Sequence, residues 1–419
     1  MKFENQRDAN PAAEVSVCSV ISKRSLAKAR VLAESLRAYQ PQIPYHVLLV
    51  DHVDGCFRPD NEPFQLVTLD ELGLPGQLGY CFQYTPLELC CFCKPYFMSY
   101  LFRRQFASKL IYLDADILLL HALDEIPRLL DRYSILLTPH LDRPYDDDKQ
   151  PDEESILRAG VHNAGFLGLA HCDETQRFLD WWCSRLRTGC VVDLPRGLFA
   201  DQKWLDLVPG LFQNAHVLRD PGYNVAYWNL HSRTLTIQAG QICVNGGPCY
   251  FFHFSGFDPD EQDQLSRHQN RHCLGNLPVV KLLCDYYRAR LASFNDRLAA
   301  QWPYSYARFD NGAAIPNFVR RLYLQRGFCP ATHDNPFATA VDNSYFAWLT
   351  QMSGGSLSPL LLSLHAGRLD LQIQFPQPAG RDRQALLQWF VEHGKREYDL
   401  DEALLGDARR RLIAPRQAA

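Results

Sequence analysis

No stretch of this chain offers the ~18 uninterrupted apolar residues that would span a bilayer, and its opening, MKFENQRDANPAAE, lacks the apolar core of a secretory signal. Both absences lead us to expect a cytoplasmic protein, free or peripheral at the inner membrane face. Charge of one sign is also missing: 43 basic and 47 acidic side chains leave a formal net charge of −4, so no global field favours nucleic acid or an anionic surface. The 14 cysteines lie scattered, and without a secretory signal they read as reduced, buried thiols. Cys90-Cys91-Phe92-Cys93 contains a CxxC, but neither a second CxxC nor a nearby histidine pair completes a zinc set. It reads as a packed helix face. His268 and His272 stand four apart without the glutamate of a zinc hydrolase.

What is present is a chain of 419 residues, 47% apolar, long enough for a large core and a second domain. Val15 to Ile21 and Tyr45 to Asp51 read as buried strands. Between them Leu26, Ala29, Ala33 and Leu36 recur at helical spacing, which predicts a parallel β-α-β opening. Thr85-Pro86-Leu87-Glu88 is a capping-box pattern opening a helix toward Phe102, with a kink expected at Pro95. Phe178, Trp181, Trp182 and Leu186 predict a helix whose aromatic face is core rather than a sugar platform. The acidic run from Asp142 to Glu154 reads as a solvated loop. From about residue 276 the texture turns helical, with Val280, Leu283, Tyr287 and Leu291 near one face. We therefore expect an α/β domain over 14–275 after a tail of 1–13, and a helical C-terminal domain over 276–419 that docks on it or on a second copy of the chain.

The chemistry concentrates in IYLDADILLL, where Asp114 and Asp116 follow a short apolar strand. Open α/β sheets bind ligands at the C-terminal ends of their strands. Asp-x-Asp alone is a frequent tripeptide, but two carboxylates set in an apolar run cost several kcal/mol unless paired or metal-bound. A divalent cation shared by them would neutralise the phosphates of a nucleotide-activated sugar.

Here the chain resembles the retaining GT-A glycosyltransferases of family 8, the group of glycogenin and bacterial lipooligosaccharide galactosyltransferases. Four segments match in order: KLIYLDADILLL, HNAGFLGL at 162–169, FADQKWLDL at 199–207 and FFHFSGF at 251–257. The resemblance implies a Rossmann-like nucleotide-diphosphosugar transferase sheet over about residues 14–260. It also implies His253 as third metal ligand beside Asp114 and Asp116, Asn163 and Asp201 on sugar hydroxyls, and Gln202 facing the reacting carbon. Asp114 and Gly256 would contribute to donor binding. The family's histidine segment continues to a Gly and a Lys-Pro-Trp, which this chain lacks after Gly256; Lys94 or Arg267 would then serve the diphosphate. A closer group of uncharacterised bacterial glycosyltransferases shares ELxxxxKP, FLDWW and DPGYNVAYWNL.

Each element has a plainer reading. His253 alone reads as a core histidine, Asn163-Ala164-Gly165 as a turn, and Asp201-Gln202 as a helix N-terminus with Asp201 as cap. The run from Arg219 to Asn224, with Trp228, reads as a turn that could rim an acceptor pocket. Taken in series they predict a metal-dependent hexosyltransferase using Mn²⁺ rather than Mg²⁺, since an imidazole joins the carboxylates. Its partners would be a nucleotide-diphosphate sugar, UDP-linked by preference, and a glycan, lipid-linked glycan or protein acceptor. The rivals are an inverting transferase, a sugar nucleotidyltransferase and a non-catalytic nucleotide-sugar binder. The second normally opens with a Gly-rich loop, where this chain has Ser22-Lys23-Arg24-Ser25.

Overall fold

The computed structural model describes residues 13–326, 335–352 and 356–413. Two compact units divide the chain: Met1–Gly73 with Pro86–Tyr304, and Leu74–Thr85 with Ser305–Ala419. The boundary expected near residue 275 lies inside the first unit.

The first unit is built on β1 (Ala13–Ile21), β2 (Tyr45–Leu49), β3 (Gln65–Thr68), β4 (Ala107–Leu113), β5 (Ile117–Leu119), β6 (Ile135–Pro139) and β7 (His162–Ala170). It continues through β8 (Val192–Asp193), β9 (Leu198–Phe199), β10 (Ala215–Val217), β11 (Leu235–Gln238), β12 (Gln241–Val244), β13 (Gly247–Pro248) and β14 (Phe251–His253). Seven of these form one sheet in the order β10-β6-β7-β4-β1-β2-β3. All neighbours run parallel except β7, which is antiparallel to β4 and β6. The expected α/β class with a mostly parallel sheet is therefore present. Val15 to Ile21 are buried without alternation, the pattern of a central strand covered on both faces. The helix Leu26–Tyr39 lays Leu26, Ala29, Leu32, Ala33 and Leu36 into the core shared with Val17, Val47 and Ile111.

After β3 the chain returns to add β4 on the other side of β1. The sheet thus has its switch point between β1 and β4, where a crevice opens at the strands' C-terminal ends. Because β7 runs antiparallel, its first residues lie at that same edge: Thr138 pairs with Asn163 and Pro139 with His162. The register of β6 against β7 shifts between Leu137 and Thr138. Asn163-Ala164-Gly165 is therefore an irregular stretch inside a strand, a bulge that redirects side chains, and not the turn expected from its composition.

The helix Pro278–Ser293 buries Val280, Leu283, Tyr287 and Leu291, in one cluster with Val31, Leu118, Phe252 and Phe254. The face read from the sequence is real, but its partner is the first unit's own core. Tyr287 stacks on Phe254 with ring centroids 3.9 Å apart and planes 5° apart. The helix Pro86–Arg103 runs through Pro95 without ending.

In the second unit the helices are Gln77–Gln83, Asn317–Gln325, Tyr345–Thr350, Pro359–Ala366, Leu369–Gln374, Arg383–Tyr398 and Glu402–Ile413. Phe82 is its aromatic centre, with Phe309, Tyr323, Phe337 and Tyr345 at centroid distances of 5.6, 4.9, 5.1 and 5.3 Å. Buried Arg320 donates to the carbonyls of Phe82 and Tyr306 at 2.7 and 2.6 Å. That bond binds the short excursion 74–85 to the C-terminal helices.

Candidate metal centre

Strand β4 delivers Asp114 to the switch point, and Asp114 N donates to Gly165 O at 2.8 Å to dock the turn on β7. The chain then re-enters as β5, which pairs antiparallel with β14 so that Ile117 faces His253. Phe254 N donates to Asp116 O at 2.8 Å, which ties the two segments together. The result is that one ligand atom each from Asp114, Asp116 and His253 lies within 4.8 Å of the others. His253 Nε2 stands 3.2 Å from Asp116 Oδ1, and Lys28 Nζ reaches within 3.8 Å of Asp116 Oδ2. Burial alone would raise the Asp116 carboxyl, but the Lys28 charge and the hydrogen bond and charge of His253 outweigh it and hold the group well below the usual carboxylate range.

The donor set fits a divalent cation. Two carboxylates and one imidazole bring oxygen and nitrogen ligand atoms within 4.8 Å of one another, a donor set that suits such an ion. The ring of His253 is held there by steric design: a Cβ on Gly165 would sit 2.4 Å from His253 Cε1. Only glycine leaves that space on β7.

Lys94, expected at a donor diphosphate, takes a different position. The residue is 4% exposed, and its ammonium lies 3.3 Å from Asp114 Oδ1, 3.0 Å from Asp201 Oδ2 and 3.0 Å from Ala164 O. The contact to Ala164 O is a hydrogen bond and the two to carboxylates are ion pairs. Burial would lower its pKa, but the Asp114 and Asp201 charges overcome this and push it well above the usual lysine value. Tyr112 donates to Asp114 Oδ1 at 2.7 Å. Asp114 is thus gripped on one oxygen by Lys94 and Tyr112.

Asp201 stands at the N-cap position of the short helix Gln202–Leu207, yet its side chain makes no cap bond; its carboxylate is spent on Lys94, and Trp182 Nε1 donates to its carbonyl at 3.2 Å. Neighbouring Gln202 accepts at Oε1 from Ala164 N at 3.1 Å and from Asn163 Nδ2 at 3.2 Å. Its Nε2 donates to Ala159 O at 3.0 Å. Asn163 accepts at Oδ1 from Gly165 N and from Asn224 Nδ2, both at 3.0 Å, and its Nδ2 also lies 3.2 Å from His140 Nε2. Burial pushes the His140 imidazole down to about 3, so it stays neutral and accepts that bond. The Asn163 amide is fully occupied inside the protein.

Gly256 adopts a left-handed φ of +69°, where a Cβ would meet His268 Cδ2 at 2.3 Å. Its carbonyl accepts from Arg267 N at 3.1 Å, which sets the exposed Arg267 beside the turn that follows His253. Asn224 and Trp228, read as an acceptor rim, are instead interior residues. Trp228 meets the His253 ring edge-on at 5.3 Å, and Asn224 Oδ1 lies 3.1 Å from His253 Nδ1. Tyr112 and Lys28 escaped the sequence reading as site residues, and Asn224 was read for the acceptor rim rather than for the metal centre. For Asn224 the polar residue in an aromatic DPGYN run was the available signal.

Burial raises the Cys90 thiol to about 12 and that of Cys91 further. The acidic loop is partly tethered: Asp142 pairs with buried Arg233, and Asp147 takes a fork of bonds from Arg271, which lies 3.6 Å over the Tyr145 ring. No helix among the described residues is long and apolar enough to cross a membrane.

The architecture and site define an α/β protein with a mostly parallel sheet that carries an Asp-Asp-His cluster at its switch point. No family model matches the chain. It is 28% identical over 245 residues to the uncharacterised protein YfnF of Bacillus subtilis (strain 168), covering 57% of this chain and 80% of that one. Among solved structures it is similar to the galactosyltransferase LgtC in complex with donor and acceptor sugar analogues, at 13% identity and a TM-score of 0.40 over 66% of this chain and 95% of the other. The glycosyltransferase GlyE of Streptococcus pneumoniae TIGR4 is similar at 13% identity and a TM-score of 0.40, over 71% of this chain and 67% of its own.

Proposed function

We propose that this chain is a glycosyltransferase that moves a sugar from a nucleotide-diphosphate donor to a glycan, lipid-linked glycan or protein acceptor, with retention of anomeric configuration. The observation that carries the reading is the convergence of Asp114, Asp116 and His253 within 4.8 Å at the ligand-binding edge of the sheet, in a chain whose four ordered segments resemble family 8 transferases. These three residues would hold a divalent cation, which would neutralise the charge of the departing diphosphate. The imidazole among the oxygens favours Mn²⁺ over Mg²⁺, and a UDP-sugar is the donor we expect.

The chain's own residues supply the rest. Lys94 and Tyr112 fix Asp114 through its Oδ1 and would orient it as a ligand. Lys28, on the helix after β1, is the partly exposed cation beside Asp116 and is positioned to neutralise phosphate charge. Retention is supported by the state of Asp201: an inverting enzyme needs a free carboxylate as base, whereas Asp201 is 2% exposed and bound by Lys94.

Thermal unfolding with Mn²⁺ and a panel of nucleoside diphosphates tests the reading. We expect one nucleotide to stabilise the fold only when Mn²⁺ is present, and the matching sugar nucleotide to give a product whose anomer NMR reads as retained. An inverted anomer would reassign the stereochemistry, nucleotide exchange with pyrophosphate would favour a nucleotidyltransferase, and binding without turnover on any acceptor or water would favour a silent binder. No metal-dependent stabilisation by any nucleotide would sink the proposal.

A further inference from the structure

The hydrogen bonds behind His253 have a direction that starts from the backbone. Gly165 N–H donates to Asn163 Oδ1 at 3.0 Å, and because a backbone N–H can only donate, that atom of Asn163 is its oxygen. Asn224 places an amide atom 3.0 Å from the same oxygen and 2.8 Å from Thr138 Oγ1. An oxygen there would face an oxygen, so the atom is Nδ2. The other end of the Asn224 amide is then Oδ1, 3.1 Å from His253 Nδ1, and an acceptor at that distance requires Nδ1 to carry a proton. A second backbone donor checks the chain independently. Ala164 N orients Gln202 Oε1 at 3.1 Å, and Gln202 Oε1 in turn accepts from Asn163 Nδ2 at 3.2 Å. Both ends of Asn163 are therefore fixed by different peptide groups.

We propose that Asn224 is a positioning residue that assigns the proton of His253 to Nδ1 and so turns the Nε2 lone pair toward a cation held with Asp114 and Asp116. This rests on the metal reading given above and adds to it the residue that makes His253 a ligand through one nitrogen only. The partner of the second ring nitrogen decides which nitrogen binds metal. Asn224 suits the task for three reasons. It is wholly buried, so no water competes for its oxygen. Its φ of 53° is the left-handed conformation that asparagine tolerates better than most residues. Its backbone is clamped by Asn229, whose Nδ2 donates to Asn224 O at 2.9 Å while its Oδ1 accepts from Ala226 N at 3.0 Å. With Nδ1 protonated, Nε2 faces Asp116 Oδ1 at 3.2 Å, a contact that needs a proton or a cation between the two atoms.

The proposal makes two separable measurements possible on the full chain. In protein labelled with ¹⁵N-histidine, long-range proton–nitrogen correlation reads each ring nitrogen directly, and the His253 signals are assigned by their loss in His253→Gln. We expect a protonated Nδ1 both without metal and with diamagnetic Mg²⁺; a bare Nδ1 with the proton on Nε2 overturns the proposal. Calorimetric titration with Mn²⁺ alone then compares the wild type with Asn224→Gly, which keeps the left-handed backbone and removes the amide. Loss of an outer partner of a metal-bound histidine weakens binding roughly 10- to 100-fold, and we expect that loss here with the Nδ1 proton signal also gone. Equal Mn²⁺ affinity in the two proteins overturns the role of Asn224. If the wild type binds no Mn²⁺, the metal reading fails instead, and the nitrogen spectrum, which needs no metal, shows whether the amide chain still sets the proton. Should Asn224→Gly fail to fold, the wild-type spectrum alone keeps the assignment open to refutation.

Discussion

The ammonium of Lys94 and the carboxylate of Asp201 lie 3.0 Å apart, in residues that are 4% and 2% exposed. The same ammonium is 3.3 Å from Asp114. One buried cation thus holds together the metal carboxylate and the residue before Gln202, two points 87 positions apart by number.

Removing that cation should be costly. Lys94→Met keeps much of the volume but leaves Asp201 as a buried, uncompensated charge, and breaking such a pair typically costs about 3–5 kcal/mol. Urea denaturation measures this. A loss below about 1 kcal/mol would mean that water or rearrangement compensates the carboxylate.

Asp116→Ala acts on the opposite term. Asp116 is partly exposed and is held by Lys28 and His253, so its removal should lower the unfolding temperature without metal only modestly. The stabilisation by Mn²⁺ with nucleoside diphosphate, about 2.7 kcal/mol at 100 times Kd for a single site, should vanish. Persistence of that stabilisation would remove Asp116 from the ligand set.

Gln202→Ala should show two effects at once. It strips acceptors from Ala164 N and Asn163 Nδ2, which costs roughly 1–3 kcal/mol of stability if they stay dry. If the side chain also acts near the anomeric carbon, kcat should fall more than KM changes. Loss of stability with unchanged kcat would confine Gln202 to the amide network.

His46 predicts a stability slope. On β2, 2% exposed, with neither ring nitrogen hydrogen-bonded among the described residues, it is pushed by burial down to about 4. Its folded pKa lies below the unfolded value of about 6.5, so its neutral form stabilises the fold fully above pH 6.5, and that contribution is lost as pH falls toward 4. The slope is up to roughly 1.4 kcal/mol per pH step. His46→Phe should flatten stability against pH in that window, and an unchanged slope would assign the acid sensitivity elsewhere.

A chain ending near residue 275 should fold poorly. It loses Tyr287, Leu283 and Leu291 from the cluster that covers Phe252 and Phe254 on either side of His253, and truncating one such aromatic to Ala already costs about 3–5 kcal/mol. Tyr287→Ala in the full chain tests the same contact more gently. A soluble, cooperatively folding 1–275 fragment would contradict this packing.

Local pattern was enough to read the β-α-β opening, the strand that ends in Asp114 and the amphipathic face of 278–293, because periods of two and 3.6 and the residues that end an element are written into neighbouring positions. The order of the Asp, Asn, Asp-Gln and His segments likewise marked the candidate residues. The partners of those residues were not legible. An apolar helix face does not name what covers it, so the domain boundary was expected some 30 positions too early. A lysine in a helix does not announce that oxygens of Asp114, Ala164 and the Asp201 turn will gather around it. Asn224 took its significance only when β14 paired with β5 and the bulge in β7 brought Asn163 within 3.0 Å of it. Hydrogen-bond direction depends on distances of a few tenths of an ångström between residues far apart in the chain, and only the assembled sheet decides those.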